Sequence, residues 1–362
     1  MLSKKKNKLL LISSSSDLGG GTKHMFMLGK EMSREFNVFY AIPKSNNFKE
    51  FLKSNNHIEI TEREIKFTDI VKINKFIRSN SIDIIHAHGK GAGAIARLVN
   101  LTLRKPLIYT FHGIHLKCHT FIKRLIYIYY ELFFGRLDSI KILVSESEKI
   151  YAIKNNIYLG KRFLVINNGV SLKPIKIYES LNKQFPNKLK INIITICRLV
   201  KQKNVKDILR IAEKVSEVNF TIVGDGELKE EIKDLIFMKG LINVNLIGAT
   251  NNVFKYLYSS DIYLSTSLYE GLPLSIIEAM SIGLPIIASN VTGNSDTIIH
   301  GRSGFLYDSD KVIEATRYIK KLSQNKKLRS KMGYSAYKRQ RKIFSEQKMY
   351  SQYKNLYKSF LC

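Results

Sequence analysis

The sequence predicts an α/β chain of two domains, each built on a mostly parallel sheet. Three observations carry that expectation. Strand-like apolar runs alternate with helix-like runs along nearly the whole chain, which is the pattern of βαβ units. The length of 362 residues exceeds one ordinary core and fits two domains of roughly 150–180 residues. A polar stretch at 171–189 holds Pro174 and Pro186, shows weak periodicity, and reads as the interdomain linker. The expected organisation is a first domain at 1–170, a linker at 171–189, a second domain at 190–330, and a C-terminal segment at 331–362. That last segment is polar and aromatic at roughly helical spacing.

In the first half, strands are expected near Lys8–Ser13, Asn37–Ile42, His57–Ile60, Ile82–His86, Leu107–Phe111, Ser139–Ser145 and Phe163–Ile166, with helices between most of them. In the second half they are expected at Ile191–Cys197, Phe220–Gly224, Val244–Gly248, Ile262–Ser265, Pro285–Ser289 and Gly304–Tyr307. Leu9 to Ile12 follows several lysines but is too short for the apolar region of a signal peptide, and reads as the first buried strand. No stretch of 18 or more apolar residues predicts a membrane span. Three scattered cysteines, Cys118, Cys197 and Cys362, form no CxxC pair. They predict neither a disulfide framework nor a zinc site and suit a reducing cytoplasm.

Lys plus Arg outnumber Asp plus Glu by 59 to 30, a formal net charge of +29. Such a balance favours anionic partners: nucleotide phosphates, anionic lipid or nucleic acid. Compositional drift in a chain rich in Lys, Asn and Ile explains it equally well. A nucleic-acid-binding protein is the rival from another class, but no aromatic-basic repeat or nucleic-acid motif accompanies the charge.

Several short stretches carry candidate chemistry. Gly19-Gly20-Gly21-Thr22 follows the first strand, where glycines let backbone amides approach an anion. It lacks the third glycine of a GxGxxG fingerprint, and a plain strand-to-helix turn explains it too. His24 follows on the next helix. Asp83-Ile84-Ile85-His86-Ala87-His88-Gly89 ends a strand with two histidines. Without a Cys or carboxylate at matching spacing it predicts no metal, and an acceptor-side or structural role is preferred. Thr110-Phe111-His112-Gly113 ends another strand. Phe121 to Leu137 is an aromatic and basic helix with Phe121, Leu125, Ile128 and Leu132 in a stripe. Core packing is the preferred explanation, and an anionic bilayer surface is the other. Arg198 and Lys203 flank a basic turn after the first strand of the second half. Asp308-Ser309-Asp310 matches a DxD metal motif but precedes a helix, so Ser309 or Asp310 reads as an N-cap.

The stretch from Leu268 to Ala288 organises the second half. Pro273 suits the first turn of a helix, Gly283 the residue just past its end, and Pro285 a stop. Leu274, Ile277 and Met280 recur at helical spacing. Glu270 stands just before the helix, where free N–H groups gather and an anion is favoured. Glu278 is a carboxylate within the mostly apolar helix. Helix capping and a solvent edge are the bland explanations of the two.

Glu270 and Glu278, with seven residues between them around Gly271-Leu272-Pro273, resemble the signature of the family 4 glycosyltransferases. Ile196 to Asn204 and Thr110 to Gly113 also resemble that family, across roughly residues 8–325. The resemblance implies the GT-B fold, two Rossmann-like domains facing across a cleft. The last helix would cross back to the first domain. It implies a retaining, metal-independent transfer from a nucleotide-sugar, with no cofactor. By resemblance Arg198 and Lys203 would clamp the donor diphosphate, and Gly20, Gly21, Gly271 and Leu272 would line the donor. Glu278 would bind the ribose, and His112 and Glu270 would serve the donor sugar. His24, His86 and His88 would lie on the acceptor side. Cys197 stands where glycine is usual, which would displace that loop slightly. The implied partners are a nucleotide-sugar, UDP by family usage, and a glycan or polyprenyl-diphosphate-linked glycan. Contact with an anionic membrane is also implied, without nucleic acid. The implied location is the cytoplasm, peripheral on the inner face of the cytoplasmic membrane. A GT-B nucleotide-sugar epimerase is the alternative enzyme.

Overall fold

The computed structural model describes residues 6–17, 19–44, 52, 56–116, 120–157, 160, 162–175 and 190–361. Residues 176–189 of the expected linker, and Cys118 and Cys362, lie outside them. The chain divides into two compact units. One comprises Met1–Asn168 with Gln347–Cys362, and the other Gly169–Glu346.

The first unit is a seven-stranded sheet of β1 (Lys8–Ser13), β2 (Asn37–Pro43), β3 (His57–Ile60), β4 (Ile84–His88), β5 (Leu107–Thr110), β6 (Ile140–Leu143) and β7 (Phe163–Val165). Its order is β3-β2-β1-β4-β5-β6-β7, and every pairing is parallel. Strands covered on both faces need apolar residues at every position, which is why runs such as Leu9-Leu10-Leu11-Ile12 lie here. Period-two alternation splits that run between two cores. Leu10 and Ile12 join Ile73, Ile77, Ile95 and Val99, from α2 (Phe67–Asn80) and α3 (Lys90–Leu103). Leu9 and Leu11 join Met25, Phe26 and Leu28 of α1 (Gly20–Met32), and Tyr353, Leu356 and Tyr357. The same unit also holds α4 (Phe121–Phe134) and α5 (Glu146–Lys154).

Strand β4 begins two residues later than expected. The Asp83 carboxylate accepts the Lys8 N–H at 2.8 Å, and the Asp83 N–H donates to the Lys8 carbonyl at 2.9 Å. The ladder then pairs Leu9 with Ile84 and Ser13 with His88. His88 is thereby the last residue of the strand, not a residue beyond it.

The second unit is a six-stranded parallel sheet in the order β10-β9-β8-β11-β12-β13. Its strands are β8 (Asn192–Ile196), β9 (Asn219–Val223), β10 (Val244–Gly248), β11 (Ile262–Ser265), β12 (Ile286–Ser289) and β13 (Gly304–Tyr307). Its helices are α6 (Val205–Lys214), α7 (Lys229–Met238), α8 (Val253–Ser259), α9 (Leu274–Ser281), α10 (Asn294–Thr297), α11 (Val312–Gln324) and α12 (Lys326–Ile343). Residues Val205, Ile208, Leu209 and Ala212 of α6 pack on Ile193, Phe220, Ile222 and Leu264 of the sheet.

The expected turn back to the first domain at residue 331 is corrected. Helix α12 stays with the second unit, and only α13 (Glu346–Lys358), from Gln347 on, joins the first. Glycine explains why α12 stays: a Cβ at Gly333 would lie 1.9 Å from the Gly283 carbonyl oxygen. Backbone meets backbone there, beyond the end of α9, and any side chain would push α12 away.

Helix α4 bears out the core reading of its stripe only in part: Ile128 packs on the core and Leu132 is half-buried, whereas Phe121 and Leu125 are exposed. Phe121, Ile122, Ile126 and Phe133 are 73, 68, 63 and 65% exposed. Tyr127 and Ile128 pack against the core from part-buried positions, and Glu131 is the fully buried residue of the helix. An ion network anchors it instead. Arg97 of α3 donates to both Glu131 carboxylate oxygens, at 3.1 and 2.9 Å, and to both Asp138 oxygens, at 2.9 and 2.6 Å. Lys141 of β6 pairs with Asp138 at 3.1 Å.

Candidate functional site

In open parallel sheets, ligands bind outside the carboxyl ends of the strands where the strand order reverses. In the second unit β8 lies between β9 and β11. The segments leaving β8 and β11 carry Arg198 and Lys203 on one side and Glu270 on the other. The Lys203 ammonium pairs with Glu270 Oε1, and Ser267 Oγ donates to the same oxygen at 2.7 Å. The two segments are stapled along their length. Gln202 Nε2 donates to the Tyr269 carbonyl at 2.8 Å. The Leu268 N–H donates to the Gln202 carbonyl at 2.8 Å. Thr266 Oγ1 donates to the Lys203 carbonyl at 2.9 Å. Gln202 and Ser267 thus act beside the expected residues, and nothing in their spacing marks them.

The loop that carries Cys197 keeps its pairing with the next strand segment. The Cys197 N–H donates to the Val223 carbonyl at 3.0 Å and the Leu199 N–H to the Asp225 carbonyl at 2.9 Å, so pairing with the β9 segment continues past the strand end. Close packing is met from the other side, at Gly224, where a Cβ would lie 1.8 Å from the Cys197 carbonyl oxygen. Burial pushes the Cys197 thiol up to about 12, so it stays protonated at neutral pH. Gly224→Ala should destabilise the second unit by more than 2 kcal/mol, on the order of the overpacking cost, read as a lower urea midpoint.

Glu270, Gly271 and Leu272 are buried, and Arg198 is exposed. Pro273 is the N-cap of α9 and not part of its first turn. Gly283 takes a φ of +85° just past its end, as expected. Glu278 is 5% exposed, so the solvent-edge explanation does not hold for it. Gly293, with a φ of +82°, backs the acidic loop: a Cβ there would lie 2.4 Å from the Gly271 carbonyl oxygen and 3.2 Å from Glu270 Cβ. The DxD-like triplet corrects differently. Asp308 pairs with Lys311 at 2.9 Å, and Lys311, not Ser309 or Asp310, is the N-cap of α11.

In the first unit the reversal lies between β1 and β4. Gly19 is the N-cap of α1, and Gly20 and Gly21 are its first residues, not a loop before it. Gly21 faces His112: a Cβ there would meet the imidazole at 3.4 Å. His112 stands just past β5 with a φ of +57°, a conformation that costs a non-glycine residue energy and is found at sites of function. His88 Nδ1 and His112 Nε2 share a hydrogen bond of 2.9 Å. The His24 ring meets His112 edge-on at 4.8 Å between centroids.

His86 Nδ1 bonds the Tyr357 hydroxyl at 2.7 Å and its Nε2 bonds Thr110 Oγ1 at 2.8 Å. Fully buried, with both nitrogens engaged, His86 cannot meet an acceptor; the acceptor-side expectation is corrected for it. Tyr353 and Tyr357 of α13 back this cluster. Their one-turn spacing was visible in the sequence, but not which unit they join.

Burial holds His24, His86 and His88 well below the ordinary imidazole pKa and brings His112 down to about 4. All four are neutral at pH 7. Unfolded imidazoles bind protons below about pH 6.5 while the folded ones do not. The unfolded state therefore gains protons first, and stability falls as pH drops from about 6.5 toward 4. Each such histidine steepens the fall by up to about 1.4 kcal/mol per pH unit. Urea midpoints across pH 7.5 to 4.5 should fall steeply below 6.5, and less so in His86→Gln.

Residues 178–339 match the family Glycosyl transferases group 1, and residues 18–173 match Glycosyltransferase Family 4. The chain belongs to glycosyltransferase family 4. This glycosyltransferase is 29% identical over 285 residues to the UDP-Gal:alpha-D-GlcNAc-diphosphoundecaprenol alpha-1,3-galactosyltransferase of Escherichia coli, covering 72% of this chain and 71% of that one. It is 24% identical over 323 residues to the capsular polysaccharide biosynthesis glycosyltransferase CapM of Staphylococcus aureus, covering 84% and 85%. The glycosyltransferase shares its fold with Anabaena HepE, crystallised with UDP and glucose. The TM-score is 0.84 at 19% identity, over 98% of this chain and 100% of that one. Among such solved relatives it is a GT-B protein of two Rossmann-like domains.

Proposed function

We propose that this glycosyltransferase moves a sugar from a UDP-sugar to a hydroxyl of a polyprenyl-diphosphate-linked glycan in cell-surface polysaccharide assembly. The reaction retains anomeric configuration and needs no metal. The observation that carries the reading is the stapled pair of segments leaving β8 and β11, which holds Lys203, Glu270 and Ser267 together at a strand-order reversal. The name of the Escherichia coli relative supports the choice of UDP and of the lipid carrier.

In this reading Glu278 holds the ribose hydroxyls, and the backbone of Gly271 and Leu272 lies along the diphosphate. Gly20 and Gly21 line the same donor. As the bond from the anomeric carbon to the diphosphate oxygen breaks, the leaving group gains negative charge. Arg198 and Lys203 stabilise that charge from fixed positions, which lowers the barrier without reorganisation. The acceptor oxygen attacks from the same face, and its proton passes to the departing phosphate oxygen. His112, neutral at pH 7, and Glu270 position the sugar; His24 and His88 stand on the acceptor side. The test is transfer from each UDP-sugar to a polyprenyl-diphosphate-linked glycan, with product stereochemistry read by NMR and EDTA present. An α-product from an α-donor, undiminished by EDTA, is expected. Inversion, or loss of transfer on chelation, would overturn the retaining or the metal-free part.

The same reading places the enzyme on the inner face of the cytoplasmic membrane. Among the described residues no helix is long and apolar enough to cross a membrane. Instead α4 shows Phe121, Ile122, Ile126, Tyr129 and Phe133 to solvent, flanked by exposed Lys123 and Lys154. Exposed Ile150 and Ile153 of α5 add to the apolar surface. Aromatic and aliphatic groups beside lysines suit the interface of an anionic bilayer. Ile122→Asp/Ile126→Asp should reduce sedimentation with phosphatidylglycerol vesicles at least tenfold, with little change in thermal midpoint. Unchanged sedimentation would remove α4 from the contact.

A further inference from the structure

The buried histidines of the first unit leave one feature without a use in the reaction. His24 lies in α1, His88 ends β4, and His112 follows β5. Their ligand atoms all lie within 4.8 Å of one another. Both ring nitrogens of His24, and Nε2 of His88, are buried without a hydrogen-bond partner. His24 is 1% and His88 4% exposed. An orphaned imidazole nitrogen in such a place costs free energy that a bound group would recover. Three neutral imidazoles from three separate elements, with no carboxylate among them, are a donor set of a particular kind. Nitrogen donors suit zinc, cobalt, nickel and copper, whereas magnesium, calcium and manganese take oxygen.

We infer that His24, His88 and His112 form a capture site for a transition-metal dication of the zinc class, and that its occupation inhibits the enzyme. A tetrahedral site needs imidazole nitrogens about 3.4 Å apart, given bonds of about 2.0–2.1 Å. The ligand atoms lie within 4.8 Å of one another, so side-chain rotation must bring them closer on binding, and a water or hydroxide would be the fourth ligand. Where a nitrogen of the His88 Nδ1–His112 Nε2 pair becomes a ligand, the proton between them moves to another ring nitrogen by a change of tautomer, since each neutral imidazole binds metal through its unprotonated nitrogen. The inhibitory consequence rests on the proposed role of His112, since a nitrogen bound to metal no longer serves a sugar. The metal site itself does not depend on that role.

Cobalt(II) separates the two. The EDTA-stripped full chain, without a histidine tag, is titrated with cobalt and read by visible absorption. About one equivalent should give the intense bands of four-coordinate cobalt. Zinc should abolish them and magnesium leave them. His24→Phe and His88→Gln should each lose the bands. Circular dichroism and the UDP-induced thermal shift, read in both variants, show that each remains folded. Absence of four-coordinate bands in the wild-type chain, or bands persisting in both folded variants, overturns the site. Zinc should also inhibit transfer by the wild-type enzyme at one equivalent. Bands without inhibition would keep the metal site and remove His112 from the reaction.

Discussion

Lys203→Ala should lower kcat by about 100- to 1,000-fold, the scale on which a preorganised electrostatic contact acts in the transition state. The expectation follows from charge. A departing nucleoside diphosphate needs a fixed cation, and among the described residues the stapled turn offers Lys203 at a defined place, held on Glu270. Glu270 then loses its ion partner but keeps the Ser267 hydroxyl. The stability loss should therefore stay near 1–3 kcal/mol, the cost of a buried polar group left short of a partner. Arg198→Ala should cost as much in kcat and little in stability, because Arg198 is exposed. Lys203→Arg should recover part of the rate, since the charge survives but its shape does not. Steady-state kinetics with the cognate UDP-sugar check all three. A rise in KM with unchanged kcat would show that these cations hold the ground state only.

Arg97→Met should destabilise the first unit by about 3–5 kcal/mol, the cost of stranding buried charge. The network holds two cations, Arg97 and Lys141, and two anions, Glu131 and Asp138, with side chains at most 1% exposed. Removing Arg97 leaves two anions facing one ammonium. The double change Arg97→Met/Glu131→Leu removes one charge of each sign and should cost clearly less than the single change. Urea unfolding of both variants is the check. If the double variant proves the weaker, the anchor of α4 is packing and not charge. Because α4 presents most of its apolar residues outward, Arg97→Met should also loosen vesicle binding.

Much of this fold was legible because parallel strands write themselves as apolar runs. Lys8–Ser13, His57–Ile60, Val244–Gly248, Ile262–Ser265 and Gly304–Tyr307 lie where those runs predict. Boundaries moved where a side chain set the register, as Asp83 does at β4. Helix α4 misled in part because an apolar stripe such as Phe121, Leu125, Ile128 and Leu132 is the same sequence pattern whether a core or a bilayer covers it. The deciding contact, Arg97 on Glu131, joins residues 34 apart. Of the candidate sites, the residues after β8 and β11 were legible by their motifs. Their pairing through Lys203 and Glu270, and the hydroxyl of Ser267, needed the fold. The histidines were visible singly, but their convergence depends on β1, β4 and β5 lying side by side.

The central claim is that the second unit binds a nucleoside diphosphate sugar through Glu278 and the loop before it. The direct measurement is a thermal-shift panel of UDP, GDP, ADP and their common sugars, in EDTA, on the wild-type chain and on Glu278→Ala. A ligand at about 100 times its Kd stabilises the folded state by about 2.7 kcal/mol, enough to move the midpoint by several degrees. The account predicts a shift with UDP and UDP-sugars that Glu278→Ala abolishes. No shift with any nucleotide, together with tight, salt-sensitive binding to RNA, would contradict it.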